Sequence, residues 1–334
     1  MNVTKNEIDK LTFELVLDIT PEDYSENVRK KTAEVRRNAE FKGFRKGMVP
    51  ASLIEKVYGD QILVEAVNQV IGKGLDGYVK ENGLHILGEP LSSKNQPEIE
   101  WKKGNSFTFV FDLAYYPEVE VETVKEDTIL RYDITATAKE KEGMKENLKK
   151  YYEEHKEADA EPKTDEDIDK EIADRLKENY RQQSEWRLNK DIRSFYIQKA
   201  GIELPEEFMK RWLLASNEGK VTEEEVEKEF PAFLEDFKWQ LVRNSMMKKY
   251  EFKIEIDDIK QAARSQVLYQ YAMYGMTNVP DEVLNDAVDH LMNDSRQIDR
   301  IAETVEDEKV ISKIKETATF KGKKISSEKF YELK

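Results

Sequence analysis

The segment Gly43-Phe44-Arg45-Lys46-Gly47-Met48-Val49-Pro50 interrupts two helical patterns. Two glycines and a proline within eight residues preclude a regular element, so the segment reads as a loop. Upstream, Leu11, Phe13, Leu15, Leu17 and Ile19 alternate with smaller or polar residues, the pattern of a half-buried strand. Thr20-Pro21-Glu22-Asp23 follows as a helix start, with Thr20 as the cap, Pro21 at the first helical position and Asp23 in a capping-box variant. Tyr24, Val28, Val35 and Ala39 form one stripe of that helix. Downstream, Ala51 to Tyr58 restart a short helix that Gly59 is expected to end. Ile62, Ala66, Val70, Leu75 and Val79 line a longer one closed by Gly83. Strands are expected around Leu84–Leu87 and at Phe107, Phe109, Phe111 and Leu113, making residues 1–116 one small α+β domain.

Charge singles out the same place. Between Arg29 and Lys46 stand Arg29, Lys30, Lys31, Arg36, Arg37, Lys42, Arg45 and Lys46 against only Glu34 and Glu40, a local charge of about +6. The whole chain of 334 residues carries -15, which argues against general nucleic-acid binding but not against one basic site. Lys and Arg release counterions from phosphate, and Phe44 offers an apolar anchor, so the loop suits RNA and protein together. The same residues also permit a solvated basic helix with Phe44 folded into the core. A nucleotide loop fits poorly, because the glycines lack a following Lys-Ser/Thr.

In its order of strand, helix, loop and helix, the stretch Gly43–Pro50 resembles the signature Gly-Phe-Arg-x-Gly-x-x-Pro of the trigger-factor family, and Ile54 to Gly59 continue the likeness. The resemblance covers most of residues 1–115. It implies a ribosome-binding domain whose loop meets a protein and rRNA of the large subunit beside the nascent-chain exit. By that resemblance Phe44, Arg45 and Lys46 are the contacts, and Gly43, Gly47 and Pro50 shape the loop.

Pro117-Glu118-Val119-Glu120-Val121 reads as an extended linker, and Ile129, Leu130, Tyr132 and Ile134 as a short strand. Residues 138–165 are nearly all charged or small, with Ala158-Asp159-Ala160-Glu161-Pro162 at the centre, and predict a solvated helix followed by a flexible connection. The linker with this segment is expected over 117–163. Capping boxes Thr164-x-x-Asp167 and Thr222-x-x-Glu225 lie in a body in which almost everything to the end is expected to be helical, 164–334. Ile168, Ile172, Leu176 and Tyr180 recur at helical spacing, as do Phe230, Leu234, Lys238 and Val242.

This body resembles, more loosely, the armed carboxy-terminal domain of trigger factors, on segments such as Leu204-Pro205-Glu206-Glu207 and Tyr274 to Pro280. The fold class expected is thus an α+β ribosome-binding domain followed by an elongated, mostly α-helical body with arms. The family's FKBP-type prolyl isomerase has no room between linker and body, so isomerase activity is expected to be absent. Met and aromatic residues abound in the body. Met246, Met247, Met273 and Met276 are the candidates for contacts with unfolded polypeptides, the alternative being ordinary helix core.

No cysteine is present, which excludes disulfides and cysteine-held zinc. His85, His155 and His290 stand apart from any ligand-like spacing. No metal, nucleotide or other cofactor is expected. No signal peptide or membrane-length apolar run is visible, which points to the cytoplasm and away from a membrane or a periplasmic chaperone. The partners implied are the ribosomal large subunit, nascent or unfolded chains, and a second copy off the ribosome. The competing function is a ribosome-independent dimeric holding or assembly chaperone.

Overall fold

The computed structural model describes residues 1–155, 163–276 and 278–333. Its first elements are β1 (Asn2–Glu7), β2 (Thr12–Ile19), α1 (Pro21–Asn38), α2 (Ala51–Glu81), β3 (Leu91–Ser92), β4 (Phe107–Ala114) and β5 (Thr128–Thr135). There follow α3 (Ala138–Glu154), α4 (Asp165–Ala200), α5 (Glu206–Ser216), α6 (Glu223–Lys249) and α7 (Ile256–Met273). The chain closes with α8 (Asp281–Met292), α9 (Ser295–Thr317), β6 (Thr319–Ser326) and α10 (Ser327–Tyr331). Most of the described chain is helical, with the mixed α and β region at its start. Contacts divide it into one unit of Met1–Glu118 with Glu203–Leu234 and another of Val119–Ile202 with Glu235–Lys334.

In the first unit a four-stranded antiparallel sheet runs β1-β2-β4-β3. Phe13, Leu15, Leu17 and Ile19 of β2 are fully buried, as their alternation requires. They meet Phe107, Phe109 and Leu113 of β4 and the α2 residues Leu63, Val67, Val70 and Ile71 in one core. Thr20 caps α1 in the expected box, with Asp23 bonding the Thr20 backbone N–H at 2.8 Å. Two sequence expectations are corrected. Gly59 does not end a helix: α2 continues through it, because a glycine costs a helix only about 1 kcal/mol while one buried stripe, Ile54 to Leu75, spans both sides. Residues Leu84–Leu87 form no strand, only a single bridge between Ile86 and Tyr115.

Residues Glu203–Leu234 belong to the first unit. On α5, Phe208 and Met209 are buried, and Arg211 donates to the Asp112 carboxylate of β4 at 2.6 Å and to the Ser92 carbonyl at 2.9 Å. A salt bridge to a sheet acid needs a particular tertiary partner, which helix periodicity does not encode.

In the second unit the irregular stretch Val119–Asp127 is pinned by side chains. Ser245 accepts from the Val121 N–H at 3.2 Å and the Tyr250 hydroxyl from the Thr123 N–H at 3.0 Å. Tyr196 donates to Asp127 at 2.8 Å, and Lys199 to the same carboxylate at 2.7 Å. Around this strap Ile192, Tyr196, Val242, Val310 and Ile314 make a second core. The expected strand exists as β5, and its parallel partner is β6, Thr128 opposite Thr319 through Thr135 opposite Ser326, a strand not singled out in the mostly helical body. Phe320 and Ile325 are the only large apolar residues of β6 amid four consecutive exposed positions, so a pattern search finds little there.

Helix α3 does form over the charged stretch, but it is not merely solvated. Leu148 on it packs with Ile168, Ile172, Leu176 and Tyr180 of α4, leaving its charges outward. Lys163, Tyr152 and Arg175 all converge on Glu171 and draw its carboxyl down to about 2, Lys163 contributing most. The stretch Ala158–Pro162, within the segment expected to hold a flexible connection, lies outside the described residues. A third core joins α7, α8 and α9 through Ala263, Val267, Leu284, Val288 and Ile301.

Candidate functional site

The loop between α1 and α2 has a buried base and an exposed tip. Val49 is fully buried with Ile54 and Ile62, and Val35, Ala39 and Phe41 pack on them. Phe41 meets Tyr58 edge-on at 6.1 Å. Arg36 donates its Nε–H to the Val49 carbonyl at 2.8 Å and ties the loop exit to α1.

Between these anchors the chain makes two back-to-back turns. The Phe44 N–H bonds the Phe41 carbonyl at 3.0 Å, and the Met48 N–H bonds the Arg45 carbonyl at 2.9 Å. The third residue of each turn is a glycine, Gly43 with φ +92 and Gly47 with φ +82. A type II turn needs positive φ at that place, and residues with a Cβ adopt it at a cost. Lys42 and Lys46 therefore occupy equivalent corners, while Phe44 and Met48 leave the turns. Pro50 then caps the start of α2 with φ -58.

Phe44 is 44% exposed and Met48 67%. Phe44 is thus not folded into the core, which removes the plainer sequence reading of this loop. The charges divide by role. Lys30 pairs with Glu26, Lys31 with Glu65 and Glu34, and Arg36 serves the loop backbone. Arg29, Arg37, Lys42, Arg45 and Lys46 form no ion pair among the described residues. Such cations keep their charge available to an external anion. The sequence did not single out Met48; a methionine between glycine and proline in a loop is the signal that could have done so. Below the tip, Tyr24, Val28, Thr32 and Arg29 of α1 line a groove of about 450 Å³ with Ala51 and Gly104.

The four methionines proposed for client contacts do not form one surface. Met246 is 0% exposed and belongs to the core around Ile192 and Val310, which corrects its assignment: a side chain packed on all sides presents nothing to a client. Met247 is half-buried against the same core. Met273 and Met276 are exposed, with Leu268, Tyr269 and Tyr274, all within nine residues at the end of α7.

Tyr269 and Met273 are one turn apart and share a helix face. The helix stops in a Schellman motif, with Gly275 at φ +78, its N–H on the Ala272 carbonyl and the Met276 N–H on the Tyr271 carbonyl, both 3.0 Å. That stop carries Tyr274 and Met276 past the helix end. Arg264 of α7 bonds Asp281 and Asn285 of α8, so the two helices are tied behind the apolar end. Leu268 and Ile256 escaped the sequence reading, which weighed methionines and aromatics.

Catalytic chemistry finds little to build on among the described residues. No three His, Asp or Glu side chains converge as a metal site. His85 is exposed and His155 stacks on Tyr151 at 4.4 Å. No helix among the described residues is long and apolar enough to cross a membrane.

Two family models match the chain. "Bacterial trigger factor protein (TF)" covers residues 1–151 and "Probable trigger factor, C-terminal domain" covers 184–334. The trigger factor of Citrifermentans bemidjiense is 36% identical over 121 residues, 36% of this chain and 27% of that protein. That of Geobacter sp. strain M21 is 33% identical over 154 residues, 44% of this chain and 34% of that one. That of Coxiella burnetii is 29% identical over 157 residues, covering 46% and 34%. The matched part is thus about a third of the length of these curated relatives. A solved structure from work on "Promiscuous Substrate Recognition in Folding and Assembly Activities of the Trigger Factor Chaperone" aligns with TM-score 0.51 and 12% identity. The alignment covers 93% of this chain and 98% of that one, a likeness of fold.

Proposed function

The chain belongs to the trigger-factor family, and from that premise we propose that it is an ATP-independent cytoplasmic chaperone that docks on the ribosomal large subunit through the Gly43–Pro50 loop. The observation that carries the reading is the pair of glycine-cornered turns holding Phe44, Arg45 and Lys46 outward on a buried base. Preorganised turns spare a binding partner the entropy of ordering a free loop. Five cations without ion pairs supply phosphate contacts, and Phe44 with Met48 supplies apolar anchors for a protein surface. The proposed contacts are exit-site protein and rRNA, with Gly43, Gly47 and Pro50 as shaping residues.

Once docked, the protein shields apolar segments of emerging chains. The end of α7 suits such shielding, since Tyr269, Met273, Tyr274 and Met276 stand in water, and thioethers and aromatics adapt to many sequences. Met247 contributes through its exposed part. Isomerase activity is not part of this proposal, since β5 leads directly into the α3–α4 pair, whose core is formed by its own leucines, isoleucines and tyrosine.

A light-scattering assay with a chemically unfolded client tests the holding role. Tyr269→Ser, Met273→Ser and Tyr274→Ser together should weaken aggregation suppression several-fold while leaving helix content unchanged. Full suppression by that variant would remove α7 from the proposal.

A further inference from the structure

The two-stranded sheet of β5 and β6 has an open side. β6 pairs only with β5 among the described residues, and Lys321, Gly322, Lys323 and Lys324 are all exposed. A strand bonded on one side presents a row of backbone N–H and C=O groups to any extended segment. Three of these four residues are lysines, in a chain of net charge -15. None of the three, nor Lys329 and Arg131 nearby, forms an ion pair among the described residues. Asp133, opposite Lys324, and Glu332, which lines a cleft of about 670 Å³ with Lys323, Lys324 and Lys329, are the acids closest in register or cleft.

We propose that the free edge of β6 is a binding site for extended polypeptide segments with carboxylates at alternate positions, which add as a third strand. Lysine on an edge strand repels neutral and apolar strands, which is its ordinary protective use. The same charges favour a strand of opposite sign, because cross-strand pairs of opposite charge are stabilising. The spacing selects the partner. Lys321 and Lys323 lie on one face, two residues and about 6.6 Å apart by strand geometry, which is the repeat of acids at alternate positions in an added strand. Lys324 projects on the other face, where Gly322 places no side chain of its own. Backbone bonds give the affinity and the lysines the selection. The site belongs to the second unit and the docking loop to the first, and its test needs no ribosome, so it stands or falls separately from the proposed function.

Titration of the full-length chain with an acetylated, amidated Val-Glu-Val-Glu-Val-Glu-Val peptide tests this, with hydrogen exchange read at residues 321–324. Saturable binding with new amide protection there is expected. A peptide of the same composition with its glutamates in one block should bind about tenfold more weakly. Lys321→Gln with Lys323→Gln should weaken the alternating peptide similarly, with an unchanged circular dichroism spectrum. Equal binding of both peptides, absence of protection at 321–324, or protection there by an RNA oligonucleotide alone would overturn the proposal.

Discussion

Asp127 shows how much one side chain can organise. Burial alone would raise its carboxyl, but the Lys199 ammonium, the Val124 N–H and the Tyr196 hydroxyl outweigh burial and hold it below the usual aspartate range. A group whose folded value is depressed stabilises above its unfolded value and loses that contribution as pH falls through the folded one. The strap Val119–Asp127 should therefore stay locked at neutral pH and weaken only below about pH 4. Asp127→Asn should lower stability by about 2 kcal/mol at pH 7 and lose part of the acid sensitivity, read as urea midpoints at pH 7 and pH 3. An equal acid response in both proteins would place the sensitivity elsewhere. In the Gly43–Pro50 loop, Gly47→Ala should cost about 1–2 kcal/mol, since its φ of +82 and not crowding is the obstacle. Equal thermal midpoints would show that the turn relaxes freely.

At the scale of elements, α2 is the sharpest test. A Cβ at Gly59 would meet only the Glu55 Cγ at 3.6 Å, ordinary contact. Gly59→Ala should thus stabilise the protein by about 0.5–1 kcal/mol, whereas a helix truly broken there would be destabilised. The local signals that were legible share one property: a single element states them alone. The alternation in β2, the boxes at Thr20 and Thr164, and the stripe from Ile168 to Tyr180 need no partner to be recognised. What stayed hidden depends on a distant partner. β6 is a strand because β5 lies beside it nearly two hundred residues earlier, and α5 joins the first unit because Arg211 reaches Asp112. The loop was legible in its glycines and charges. Its exposure at Met48, the withdrawal of Lys30, Lys31 and Arg36 into internal contacts, and the burial of Met246 emerge only once the chain is folded.

At the scale of the whole chain, the two proposed roles rest on different units: a basic loop in the first and the exposed end of α7 in the second. In the proposed role the loop is a tether, and its tip carries little of the fold's stability, because no ion pair or side-chain hydrogen bond holds Phe44, Arg45 or Lys46 among the described residues. Cosedimentation with ribosomes at several salt concentrations addresses this directly. Phe44→Ala, Arg45→Ala and Lys46→Ala together should leave the urea midpoint unchanged, weaken ribosome binding at least about tenfold, and flatten its salt dependence by up to about two phosphate contacts. Ribosome binding by that variant with wild-type affinity and salt slope would contradict docking through this loop.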